Sequence, residues 1–170
     1  MGKKKLLIIL SLLVLAFVVT GCGKKTAENT LEKAIEKSTN GQADVDIDNN
    51  AVTINANGST YQASEAGLAL PNGFPSDVYV VDGKITFAYT YVQDSNYSIT
   101  IQTDKSKDEL KSIYTEKMKD SGWESTLSVD TAEITTLGNK KGDERTANVT
   151  IAKDTTTDKW LVTITTLTNS

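Results

Sequence analysis

Late in the chain, apolar and polar residues alternate one for one. Ala147, Val149 and Ile151 alternate with Thr146, Asn148 and Thr150, and Trp160, Val162 and Ile164 alternate with Leu161, Thr163 and Thr165. A period of two sends successive side chains to opposite faces of a strand, so each segment has one face for a core and one for water. That pattern points to mostly antiparallel sheet, because parallel strands are covered on both faces and read as apolar runs. Threonine fills the outward positions. It accounts for 24 of the 170 residues, and its β-branched side chain suits an exposed strand. A loop over 155–158 sets Ile151 opposite Val162 with both on the buried face.

The same beat appears earlier. Val45 and Ile47 lie among Asp44, Asp46 and Asp48, and Val52, Ile54 and Ala56 alternate with Thr53 and Asn55. Asn49-Asn50 and Asn57-Gly58 read as turns, the second of type I′, which makes 42–64 a three-stranded meander. Residues 24–39 carry helical spacing instead, with Ala27, Leu31, Ala34 and Ile35 on one stripe and Thr26 as the cap. A lone meander is marginal, so this helix is expected on Val45, Ile47, Val52 and Ile54. Residues 68–83 hold both prolines and read as a stiff connector pinned by Leu70 and Phe74.

Residues 84–103 read as a long hairpin. A three-residue loop, Asp94-Ser95-Asn96, pairs Tyr91 with Ile99 and Tyr89 with Ile101, which puts Ile85, Phe87, Tyr89 and Tyr91 on the core side. Residues 106–121 form the clearest helix, with a Ser106/Glu109 capping box, a stripe of Leu110, Ile113, Tyr114 and Met118, and Gly122 as the stop. Beyond Trp123, which shares a face with Leu127 and Val129, the parity changes at Ala132 and Ile134. This predicts a bulge or bend near Asp130-Thr131, followed by a turn over 138–142. The expected class is therefore α+β. A mostly antiparallel sheet runs β-β-α-β-β-β from residue 84 with one helix on one face, and a small helix plus three-stranded meander precedes it. The opposite face would carry Ser98, Thr100, Gln102, Thr146, Asn148, Thr150, Thr163 and Thr165, wet or covered by a partner.

The first residues have a different logic. Lys3, Lys4 and Lys5 precede an apolar stretch from Leu6 to Val19, broken only by Ser11, and Thr20-Gly21 follows. This is the layout of a secretory signal, too short for a stable membrane span. Val19-Thr20-Gly21-Cys22 resembles the bacterial lipobox, in which a small residue precedes a cysteine that is acylated before cleavage. Cys22 is the only cysteine in the chain, and it falls at the one position where lipidation needs it. The expected organisation is 1–21 signal peptide, 22–26 lipidated tether, 27–67 helix and meander, 68–83 connector and 84–168 α+β domain. Cleavage ahead of Cys22 removes three lysines and no acid, which takes the net charge from −4 to −7.

Composition closes off several classes of function. There is no histidine and one cysteine, so the sequence holds no Ser–His or Cys–His pair and no site built from Cys and His. No cofactor or metal is expected, and the acidic body carries no basic stripe for nucleic acid. Asp44 to Asn49 superficially resembles the start of a calcium loop, but the sixth and twelfth positions hold Asn49 and Asn55 rather than Gly and an acid. The three aspartates read as a solvated strand face. Phe87, Tyr89, Tyr91, Tyr114, Trp123 and Trp160 read as core aromatics rather than a pocket lining. Lys140, Lys141 and Arg145, the sole arginine, read as decoration on a hairpin turn that limits edge pairing.

Taken along the chain, these features resemble a family of uncharacterised prokaryotic secreted lipoproteins. The resemblance lies in the helix segment Glu32-Lys33-Ala34-Ile35-Glu36-Lys37, the run Asp44-Val45-Asp46-Ile47-Asp48, the connector Leu70-Pro71 with Phe74-Pro75 and Asp77, and Gly122-Trp123. Many members carry a further proline shortly after that aspartate, where this chain has Tyr79. The motifs are structural, and the resemblance implies an extracytoplasmic lipoprotein without assigning an activity. The expected function is that of a protein held to the cell membrane by acylated Cys22, not an enzyme, with an envelope protein as its partner. A small-molecule or glycan ligand is the alternative, and a hydrolase built on carboxylates alone is the remaining one.

Overall fold

The structure, a computed structural model, describes residues 32–168 apart from residues 38, 40 and 49 and the Val92 side chain. The described strands are β1 (Ala43–Asp48), β2 (Ala51–Ala56), β3 (Ser59–Leu68), β4 (Lys84–Tyr91), β5 (Asn96–Thr103), β6 (Glu124–Asp130), β7 (Ile134–Lys141), β8 (Arg145–Lys153) and β9 (Trp160–Thr168). They form one nine-stranded sheet in the order β1-β2-β3-β4-β5-β9-β8-β7-β6, and every neighbouring pair is antiparallel. Two helical segments flank it, α1 (residues 32–37) and α2 (Lys107–Asp120). The class is α+β, as the alternation implied. Among the described residues no helix is long and apolar enough to cross a membrane.

The meander forms where the Asn turns place it. Asn57 and Gly58 both have positive φ, 52° and 77°, as a type I′ turn requires. Val45 faces Ile54 and Ile47 faces Val52. Ile35 of α1 packs with Ala43, Val45, Val52 and Ile54, as expected, although Ala34 is exposed. The helix positions Ala27 and Leu31 and the cap Thr26 lie outside the described residues. Across the connector, β3 pairs directly with β4, so the meander and the later strands share one sheet.

Helix α2 owes its limits to local chemistry. The Ser106 hydroxyl accepts from the Glu109 amide at 3.3 Å, while the Glu109 carboxylate turns outward to Lys105. At the other end the Trp123 amide donates to the Met118 carbonyl and the Gly122 amide to that of Lys119. That bonding is a Schellman close, and it satisfies two of the last carbonyls. Leu110, Tyr114 and Met118 point into the main core with Ile99, Ile101, Val149, Ile151, Val162 and Ile164. Phe74, Val78 and Val81 of the connector complete it. Leu70, expected to anchor the connector, is 43% exposed. Phe74 performs that role alone of the two, edge-on to Tyr97 with 5.8 Å between ring centres.

Several expectations fail beyond α2, some through a chain reversal and one through an extra residue in a strand. Four strands follow α2, so the order from residue 84 is β-β-α-β-β-β-β rather than β-β-α-β-β-β. The change of parity near Asp130-Thr131 is a full reversal of the chain, closed by bonds between Thr131 and Ile134. The expected turn at 138–142 is strand as far as Lys141. Gly138 serves a close approach, because a Cβ there would stand 3.0 Å from that of Leu127. Thr126 is extra against β7. The bulge sends Trp123 into the core and Leu127 and Val129 to the opposite face.

The hairpin β4–β5 shows the same device. Tyr91 faces Asn96 and Ala88 faces Ile99. The connection is thus Val92 to Ser95, with Ser95 in the left-handed region at φ 51°. An even-length connection puts Tyr89 and Ile99 on opposite faces. Thr86 is extra, so Ile85 lies opposite Ile101 while Phe87 lies opposite Thr100. Phe87, Tyr89 and Tyr91 therefore leave the main core and join the threonine face.

Candidate functional site

Cys22 lies outside the described residues, so no geometry attaches to it here. Within the described body the most extensive feature is the face opposite α2. Its rows follow from the register. One row reads Ile54, Tyr61, Tyr89, Ser98, Thr165, Asn148, Gly138 and Leu127, and the next reads Val52, Ala63, Phe87, Thr100, Thr163, Thr150, Thr136 and Val129. The segment α1 covers the β1–β2 end through Ile35. From β3 to β6 these two rows contain no charged residue. Lys84, Lys140 and Glu124, the last two paired at 3.4 Å, stand beyond them at the strand ends.

The face has three zones. At one end Tyr61 and Tyr89 stack with 4.8 Å between ring centres at a tilt of 40°, and the Tyr89 hydroxyl lies 3.4 Å from that of Ser59. Burial, then the neighbouring Tyr89, pushes the Tyr61 phenol above its ordinary pKa, so it remains a neutral donor. The middle is a hydroxyl field, in which Ser98 bonds Thr165 at 3.1 Å and Thr100 bonds Thr163 at 3.0 Å. At the far end Leu127 and Val129 are 49% and 47% exposed. Four of the five exposed large hydrophobics among the described residues lie on this face, with Ile134 and Leu167 as the others. Such a surface offers π faces, hydroxyl donors and acceptors, and apolar contact, and its two central rows carry no charge.

Of the six aromatics expected in the core, Tyr114 and Trp123 are buried and Trp160 is partly buried against it. The tyrosines and phenylalanine of β4 are not. The threonine positions expected to share a face do share it. What sequence reading missed is that the aromatics border them. The available signal was the small Ala88 and Thr90, which the core side accepts beyond the Thr86 bulge.

Several motif residues converge elsewhere. Asp77 of the connector receives a bidentate pair from Arg145, with both Nη–Oδ distances at 2.8 Å. Lys141 Nζ reaches the same carboxylate at 2.7 Å and also the Ser121 carbonyl. Trp123 Nε1 donates to the Asp77 carbonyl at 2.9 Å, and the guanidinium lies 5.0 Å from the Trp123 ring. The hydrogen bond from Arg145, with Lys141 in support, holds the Asp77 carboxyl far below its ordinary range. Lys141 and Arg145 thus form a clamp that fixes the connector to the end of α2 and to the β7–β8 turn, rather than mere decoration, while Lys140 pairs with the exposed Glu124. Asp130 plays a similar part, accepting from Lys107, Lys111 and Thr135 and so tying α2 to β6 and β7.

A depression of about 580 Å³ lies at the start of α2, lined by Asp82, Asp104, Lys105, Glu109 and Lys159 among others. Its charges answer one another, with Lys105 to Glu109 at 2.6 Å and Lys159 to Asp104 at 3.2 Å. Asp44, Asp46 and Asp48 are exposed along β1 on the side away from Val45 and Ile47, which matches a solvated strand face. Among the described residues no group of three or more His, Cys, Asp or Glu is placed to hold a metal ion. Compared with known families, curated proteins and solved structures, the chain matches no family model, no curated protein and no solved structure.

Proposed function

We propose that this chain is a lipid-anchored protein of the extracytoplasmic membrane surface, not an enzyme, that binds an envelope partner through the open face of its sheet. One observation carries the reading. The only cysteine in the chain stands directly after a basic, then apolar, then small-residue leader. Acylation at Cys22 supplies the anchor, and two acyl chains hold where one alone is marginal. Residues 22–31 then span at most about 35 Å, which keeps the body close to the bilayer. The face from β3 to β6 supports the binding half of the reading, because interface centres are depleted of charge and enriched in aromatics.

The test is Cys22→Ser in cells supplied with a traceable fatty acid. The wild type takes up label and fractionates with membranes. The variant loses the label and is released or remains unprocessed. Equal membrane retention of an unlabelled variant overturns the anchor.

The stacked Tyr61 and Tyr89 beside hydroxyl rows favour a second reading, a glycan-binding lipoprotein. Soluble cell-wall fragments should then raise the melting temperature. No shift with any fragment sinks that reading.

A further inference from the structure

We infer that the open face closes against a second copy of this chain, as an isologous dimer of two sheets. This rests on the proposed reading only in its choice of face and is independent of the anchor. Among the described residues nothing lies over this face of the seven strands from β3 to β6, and β9 is the central one. With strands about 4.8 Å apart and residues on one face about 6.8 Å apart, the two rows and a third through Tyr91, Leu167, Thr146 and Lys140 measure about 34 by 20 Å. Two such fields bury about 1,400 Å², within the range of specific interfaces.

The pattern along the rows is self-complementary. A two-fold axis parallel to the strands and centred on β9 sets β3 over β6, β4 over β7 and β5 over β8. Tyr61 then lies over Leu127, and Tyr89 over Gly138 and the Leu127 and Asn148 side chains that close in around it. Ring meets aliphatic at both ends of the field. Hydroxyls meet polar groups, with Ser98 over Asn148, and Thr163 over its own copy. The alternative axis, across the strands, stacks rings on rings and leaves the aliphatic end to itself.

Segment α1 strengthens the choice. It sits on β1 and β2 on this same side of the sheet. A second sheet packs about 10 Å away, the layer a helix occupies. The contact therefore ends at β3, and α1 faces the copy's β6, whose residues are all exposed.

The experiment uses the full chain in its own membranes. Thr163→Cys places a thiol beside the axis, and a short bis-maleimide joins the two copies at twice the chain mass. Glu116→Cys, on the outward side of α2, serves as the collision control. Adding Thr100→Lys to Thr163→Cys places a charge in the contact and should cut the yield at least tenfold, with the melting temperature showing that the variant is folded. No product from Thr163→Cys, equal yield from Glu116→Cys, or indifference to Thr100→Lys each overturns the dimer. A product at another mass also overturns it but keeps the face as a binding surface. Protection of the thiol by soluble glycan, without cross-linking, overturns it in favour of the sugar. No product of any mass and no protection remove the face as well.

Discussion

The two sides of the sheet carry cores of different depth. On the α2 side, Ile99, Ile101, Leu110, Tyr114 and Val149 are 0% exposed, and helix, connector and sheet all contribute. On the α1 side, Val45, Val52, Ile54 and Ile35 keep 4–9% exposure, and the cluster is confined to β1–β3 and one short helical segment. A continuous hydrogen-bonded sheet joins them, yet they share no buried layer. The lesson is that strand pairing does not by itself make one cooperative core. The meander depends on β4 for its edge, whereas the α2 side depends little on the meander.

The largest effect expected from this contrast is at Leu110. Leu110→Ala should cost about 3–5 kcal/mol and lower the urea midpoint of the whole body, since its cavity opens in the three-layered core. Ile54→Ala should cost less, about 2–3 kcal/mol, and do so locally. Native-state hydrogen exchange should show β1–β3 amides losing protection while β8 and β9 keep theirs. Equal losses throughout would break the comparison.

Asp77→Asn comes next, at about 2 kcal/mol, because it removes the charge-assisted bonds from Arg145 and Lys141 and leaves the guanidinium without its carboxylate. The native carboxyl titrates below its unfolded value, near 3.9. Its stabilisation is therefore full above about pH 4 and is lost as pH falls toward the native pKa. The variant should show a flatter acid limb in a stability–pH profile, and an unchanged slope would remove Asp77 from the clamp. The smallest effect belongs to the open face. Thr150→Val should change stability by no more than about 0.5 kcal/mol, measured by the same denaturation. A larger loss would mean that the hydroxyl field has a structural role within one copy.

How much of this was legible follows from where the information sits. Strands β8 and β9 and their register were readable because Ile151 and Val162 alternate cleanly across a short loop. Helix α2 was readable because its caps are local. The positions of Phe87, Tyr89 and Leu127 were not, because a bulge adds one residue without any compositional mark and inverts every side chain beyond it. Thr86 and Thr126 look like any other strand threonine. Hydrophobicity alone therefore assigned the β4 aromatics to the core, while the core side took Ala88. The Asp77 clamp joins residues 68 apart in sequence, and its partners could be named as motifs but not matched to one another. The site itself was half legible, in its threonines and not in its rings.

The order of strands also sets a schedule. β5 and β9 lie side by side, yet Ser98 and Thr165 are 67 residues apart, and the chain must complete α2 and three further strands before that seam can close. Distant pairings of this kind slow folding. If the chain is exported N-terminus first, β5 emerges long before its neighbour and presents a bare edge rich in Ile and Thr. Such an edge invites pairing with other chains. Pulsed exchange during refolding should find the β1–β4 amides protected early and the β5–β9 seam last. Delay at that single seam, rather than marginal final stability, would then govern how much folded protein reaches the surface.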